Sequence, residues 1–156
     1  MKLLNSSNVE VVEFAMSSIR NIAYDIPKEV FECIKNENIN IFINHLGSRS
    51  RKVCDETLGA LTNLISENSE ITKFILDSGA LKHVESLLTR VPSLKLMTVE
   101  FIEFVTKYQN LIDPVIHANI LPSIFKFLLN DGIEITEEIK IVSCFPLIPL
   151  KFKYAY

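Results

Sequence analysis

The chain repeats itself, and that constrains its fold more than anything else in the sequence. Set residues 21–46, NIAYDIPKEVFECIKNENINIFINHL, above residues 63–88, NLISENSEITKFILDSGALKHVESLL. Asn21 then falls on Asn63, Ile22 on Leu64, Ile39 on Leu81 and Leu46 on Leu88, at an offset of 42 with no gap. A third copy lies 40 residues further on, where Ile75 matches Val115, Gly79 matches Asn119, Leu81 matches Leu121 and Val84 matches Ile124. A unit this short cannot bury an apolar face alone. It must stack on its neighbours, so a period of about 40–42 residues implies a helical solenoid. With 4 Gly in 156 residues, a turn-rich β fold and a glycine-rich phosphate loop are both disfavoured. A hydrophobic fraction of 48% against 22% charged residues is enough to build a core.

Each copy reads as three helical segments. Long helices are expected at about 9–24, 51–66 and 93–108, and a fourth at 134–145. In the second, Val53, Leu58, Leu61, Leu64 and Ile65 recur on one face, the spacing of an amphipathic helix. Short helices follow near 28–35, 70–77 and 111–117. Pro27 and Pro114 stand in or near the first turn, where a missing N–H costs nothing. A third segment lies near 38–46, 80–88 and 120–129. Gly79 and Asn119 precede two of these segments and suit a left-handed turn, while Glu37 at the matching place in the first copy does not. The expected organisation is an all-α, right-handed α-solenoid of about three repeats over 1–145, with partial units at both ends. An irregular tail is expected over 146–156, where Pro146 and Pro149 interrupt the last helix. Leu3-Leu4 reads as the last turn of a helix whose start is missing, so the chain is expected to be a fragment or a truncated relative.

Several function classes are disfavoured. Sixteen Lys and Arg against nineteen Asp and Glu give a net charge of −3, so no basic excess exists for a phosphate backbone and nucleic acid is not an expected partner. Cys33, Cys54 and Cys144 lack paired spacing, which argues against a disulfide framework or a zinc site and for a reducing compartment. The longest apolar stretch, 141–150, is too short for a membrane span, and no signal peptide is evident. Cytoplasm and nucleus are the expected locations. His45, His83 and His117 lack ligand-spaced partners, and no nucleophile elbow, phosphate loop or zincin motif occurs. The adjacent carboxylates Asp55-Glu56 and Glu137-Glu138 are expected to diverge on their helices. No catalysis, metal or cofactor is expected.

The segment VCDETLGALTNLISENSEITKFILDSGALKHVESLL (53–88) resembles an armadillo repeat of the importin-α type. LLNSSNVEVVEFAMSSIRNIAYD (3–25) is similar to the preceding third helix of that family, and LKLMTVEFIEFVTKYQNLIDPVIHANILPSIFKFLL (94–129) to the next repeat. The resemblance implies a concave groove, lined by third helices, that binds an extended basic peptide: the nuclear localisation signal of a cargo protein. It also implies other import factors as partners. Each third helix of the family supplies a Trp and, four residues later, an Asn. An Asn amide both donates and accepts, so it can clamp a peptide backbone whatever the side chains. A Trp wall packs a Lys stem and faces its ammonium. The four-residue spacing puts both on one helix face.

Carried over residue by residue, the family's Asn positions are Asn21 and Asn63, followed by Glu103 and Pro146. The Trp positions are Ser17, Gly59, Val99 and Val142, none of them aromatic. Asp25 matches a family acidic residue that meets a lysine, and Glu67 stands in its place one repeat on. The resemblance therefore implies a peptide site of Asn21, Asn63, Asp25, Glu67, Ser17 and Gly59. From the residues themselves, Gly59, Asn63, Ser66 and Glu67 form a polar stripe opposite the apolar face. One such stripe is simply a solvated helix surface. Its recurrence as Ser17, Asn21 and Asp25 raises the functional reading, and Val99, Glu103 and Lys107 break the pattern in the third copy. Glu13, Asp55, Glu56, Glu100 and Glu103 add negative charge that would attract a cationic peptide. The basic run Arg49-Ser50-Arg51-Lys52 opens a helix, and a solvated turn is its expected role. The alternative function is an armadillo scaffold for protein–protein interaction that binds no localisation signal.

Overall fold

The computed structural model describes residues 2–130 except 36, 37 and 67. Three helical units follow one another. The first comprises α1 (Val9–Asp25), α2 (Pro27–Ile34) and α3 (Ile39–Asn44), the last continuing as a 3₁₀ turn over His45–Gly47. The second comprises α4 (Arg51–Ile65), α5 (Ser69–Asp77) and α6 (Ala80–Arg90). The third comprises α7 (Lys95–Thr106), α8 (Ile112–His117) and α9 (Leu121–Asn130). A 3₁₀ turn over Lys2–Asn5 precedes them, and no strand occurs among the described residues. The expected fourth long helix and the tail, with Cys144, Glu137, Glu138, Val142 and Pro146, lie outside those residues.

Local chemistry starts and stops these helices. The Asn8 side chain accepts from Glu10 N at 2.9 Å and opens α1. Asn68 accepts from Glu70 N and Ile71 N and opens α5. Ser50, inside the basic run, caps α4 through Val53 N. Each satisfies N–H groups that the first helical turn leaves unpaired. Pro27 is the first residue of α2, and Pro114 lies in the first turn of α8. Gly79, with φ of 91°, turns the chain from α5 into α6, and Asn119, with φ of 54°, does the same between α8 and α9. Both therefore adopt the left-handed backbone their residue types tolerate.

Packing builds one core along the array. The long helix α4 lies between α1 and α7, which is why its buried set is so wide. Val53, Cys54, Leu58, Ala60, Leu61, Leu64 and Ile65 are all buried, including every residue of the apolar face read from the sequence. Phe42, Leu46, Ile75, Val84, Leu87, Phe101 and Ile102 extend the core across the units. Among the described residues, the buried polar side chains are four threonines, Thr57, Thr72, Thr98 and Thr106. Each hydroxyl bonds to the carbonyl four residues earlier on its own helix or at its cap, so none is buried unsatisfied.

A polar tie joins the second unit to the first. The chain between α3 and α4 exposes carbonyls that no helix satisfies. Arg90, at the end of α6, donates to Leu46 O and Ser48 O, each at 2.7 Å. The buried Cys54 thiol donates to the same two carbonyls at 3.3 and 3.2 Å. Arg90→Ala is therefore expected to lower stability by about 1–2 kcal/mol, the scale of a lost charge-assisted hydrogen bond at a partly exposed site, read as a fall in the urea midpoint. Gly79→Ala tests the backbone instead. A Cβ there meets nothing within 4 Å, so only the left-handed conformation penalises it. A loss of about 1–2 kcal/mol is expected, and an unchanged midpoint would show that the turn relaxes.

Candidate functional site

The long helices α1, α4 and α7 run side by side, and the sequence-derived site residues lie on them. On α1, Asn21 and Asp25 are exposed and Ser17 is half-buried. On α4, Asn63 is half-buried and Gly59 is buried. Glu67 lies outside the described residues. Asn63 is already engaged: its Nδ2 donates to the main-chain carbonyl of Arg20 at 3.0 Å. That bond staples α4 to α1 and leaves the Asn63 Oδ1 without a partner among the described residues, free to accept from a peptide N–H. Ser66 donates to Asn63 O and so finishes α4.

The largest departure from the sequence reading is at Gly59. A Cβ on that residue would lie 2.4 Å from Arg20 Nε and 2.6 Å from Arg20 Cζ. The Arg20 side chain is thus laid flat across Gly59, and only glycine leaves it that room. Its Nη1 then stands 3.4 Å from both Asp55 Oδ1 and Glu56 Oε2. The expectation that these adjacent carboxylates diverge needs correction here. Their helix positions differ by about 100°, yet a guanidinium arriving between them from a neighbouring helix reaches both. Arg20 was not among the candidate residues. Its only sequence signal is a long basic side chain set, one repeat earlier, beside a position with no side chain.

Other acidic groups are similarly committed. Glu13 accepts from Ser50 Oγ at 2.7 Å and pairs with Lys52 at 3.5 Å. The ammonium of Lys52 also sits 5.4 Å from the centre of the Phe14 ring. Two members of the basic run therefore hold α4 to α1, beyond the solvated turn expected of them. On α7 the arrangement reverses. Val99 is buried, while Glu100 and Glu103 have no cation within ion-pair distance among the described residues. Burial pushes the Glu100 carboxyl above its ordinary range, and the neighbouring Glu103 charge adds to the shift. Among the described residues, Glu100 and Glu103 thus add unpaired negative charge to this face at the third unit.

No protein-family model matches the chain, and no curated protein matches it. Solved structures do. A designed armadillo repeat protein in complex with the peptide (KR)4 superposes with a TM-score of 0.81 at 24% identity, over 93% of this chain and 61% of that one. Computationally designed armadillo repeat proteins for modular peptide recognition give 0.84 at 22% identity, over 99% and 67%. A further designed armadillo repeat protein gives 0.81 at 21% identity, over 94% and 62%. At these identities the likeness establishes the fold, an all-α armadillo-repeat solenoid. The chain spans about three fifths of the first of these proteins.

The Glu100 shift has a stability consequence. A carboxyl whose folded pKa is raised opposes folding when ionised, and the penalty disappears as pH falls through that pKa. Glu100→Gln is expected to raise the melting temperature at pH 7. The gain should shrink toward zero as pH drops to about 4, where the unfolded carboxyl also protonates. A gain that does not vary with pH would place its origin in packing.

Proposed function

We propose that this chain is a protein-binding armadillo adaptor of the importin-α type, holding an extended basic segment such as a nuclear localisation signal for nuclear protein import. One observation carries the reading. Asn21 and Asn63 stand at the same register of successive long helices. One is exposed, and the other, after stapling the helices together, keeps an acceptor that has no partner among the described residues. In this reading the two amides clamp the peptide backbone, Asp25 and Glu67 receive basic side chains, and Ser17 forms the floor together with Gly59, which lies beneath the Arg20 side chain. A solved protein of the same fold was captured with a (KR)4 peptide, which supports a basic ligand. Cargo proteins and other import factors are the proposed partners, in cytoplasm and nucleus, with no catalytic step. No described helix is long and apolar enough to cross a membrane, and neither a membrane nor nucleic acid is a proposed partner.

A specific observation favours a second reading, a scaffold that binds no localisation signal. The flank of α1 carries an apolar cleft of about 450 Å³ lined by Leu3, Val11, Phe14, Ala15 and Ile19, and Phe14 is 68% exposed. One repeat on, the positions equivalent to Val11, Ala15 and Ile19 are Val53, Thr57 and Leu61, all buried. Such a flank suits a folded or helical partner.

A titration of fluorescent (KR)4 peptide followed by anisotropy, at low and physiological salt, separates the two. The adaptor reading expects saturable binding at both salts, weakened about tenfold or more by Asn21→Ala with Asn63→Ala, since about 1.4 kcal/mol of lost hydrogen bonding is a factor of ten. Asn63→Ala also removes the staple to Arg20, so the double variant must first be shown folded by circular dichroism. Binding that ignores both substitutions and vanishes with salt would reduce the site to an acidic surface. No binding by the folded wild-type chain would leave the scaffold reading standing.

A further inference from the structure

We propose that Arg20 is a specificity-determining residue: its guanidinium occupies a cation subsite built by Gly59, Asp55 and Glu56, and so withholds that subsite from a basic side chain of a bound peptide. The proposal deepens the peptide-binding reading and rests on it in part. Three observations converge. The Arg20 side chain lies in van der Waals contact on Gly59, where any Cβ would collide with Nε, Cζ and Cδ at 2.4–2.9 Å. Its Nη1 reaches both carboxylates, and these are largely shielded, with side chains 31% and 16% exposed. The residue is itself only 35% exposed, so its planar head is held against the helix rather than waving in solvent.

Of the two described interfaces between long helices, only the first has this arrangement. At the offset of 42, Arg20 corresponds to Thr62, whose hydroxyl turns back to Leu58 O at 2.9 Å. The family alignment puts Val99 in the place of Gly59, and it is buried. The second interface therefore has neither the bare backbone nor the cation. A flat guanidinium on a glycine between two carboxylates is what an arginine side chain of a ligand would adopt there. Because Arg20 is tethered, it competes at an effective concentration of order millimolar or more. A peptide crossing α4 in the wild-type chain therefore meets a filled subsite, and a small or neutral side chain suits that step better than a cation. Removing Arg20 exposes the subsite and turns the same step into one that selects arginine.

Two measurements test this. The first is (KR)4 affinity for Arg20→Ala, with Lys73→Ala as a control of equal charge change on α5. Arg20→Ala is expected to bind about tenfold tighter than wild type, the scale of one additional charge-assisted hydrogen bond. Lys73→Ala should bind as wild type does. The second measurement needs no peptide. Ethylguanidinium should raise the melting temperature of Arg20→Ala but not of wild type, nor of Arg20→Ala carrying Asp55→Asn and Glu56→Gln. Arg20→Gln, which keeps the stem, should respond in the same way if the alanine variant proves unfolded. Selective rescue without (KR)4 binding would keep the subsite and defeat the peptide-binding reading. Equal (KR)4 binding by wild type and Arg20→Ala, with equal responses to ethylguanidinium, would overturn the subsite and leave peptide binding standing.

Discussion

Everything in this chain depends on long helices stacking flank to flank. None of the three units closes a core by itself, so a long helix between two neighbours is covered on both sides. The helix α4 shows the requirement most fully, with buried residues around most of its circumference. Such a helix needs small residues where its neighbours approach, and Gly59 and Ala60 are buried in its middle. It also needs its buried polar groups satisfied internally, which the Thr57 hydroxyl achieves on the Val53 carbonyl.

The same stacking decides the electrostatics of the candidate face. Acidic residues that would be solvated on an isolated helix meet cations brought by the next unit: Glu13 meets Lys52, and Asp55 and Glu56 meet Arg20. The carboxylates of these pairs are shielded and each pair joins one long helix to the next, which distinguishes them from the exposed pair Lys73–Asp77 within α5. The negative potential available to a ligand is consequently smaller at the first interface than a charge count implies. On α7 burial and the Glu103 charge together raise the Glu100 carboxyl above its ordinary range, and no cation among the described residues pairs with either.

Much of the fold was legible because it is written in local rules repeated three times. The offset of 42, the apolar spacing within 53–65, the prolines in first turns and the left-handed Gly79 and Asn119 each depend on a few neighbouring residues. The short elements were less legible. The segment expected as one helix over 38–46 divides into α3 and a 3₁₀ turn, and in that turn Arg90 and Cys54, both outside the segment, donate to the Leu46 carbonyl. For the site, the register of Asn21 and Asn63 was visible, but the bond that commits Asn63 to α1 was not.

The sequence by itself determined that this is an all-α repeat array, since a periodic apolar pattern needs no knowledge of what it packs against. It also placed the polar positions of the candidate face on successive long helices. Only the tertiary structure decided what those positions are free to do. Arg20 and Gly59 are 39 residues apart, and nothing local to either says that the guanidinium of one rests on the backbone of the other. That contact follows from the lateral register of α1 against α4, set by the whole interface. The availability of charge and of hydrogen bonds at a surface is a property of such interfaces, so it is read from packing and not from period.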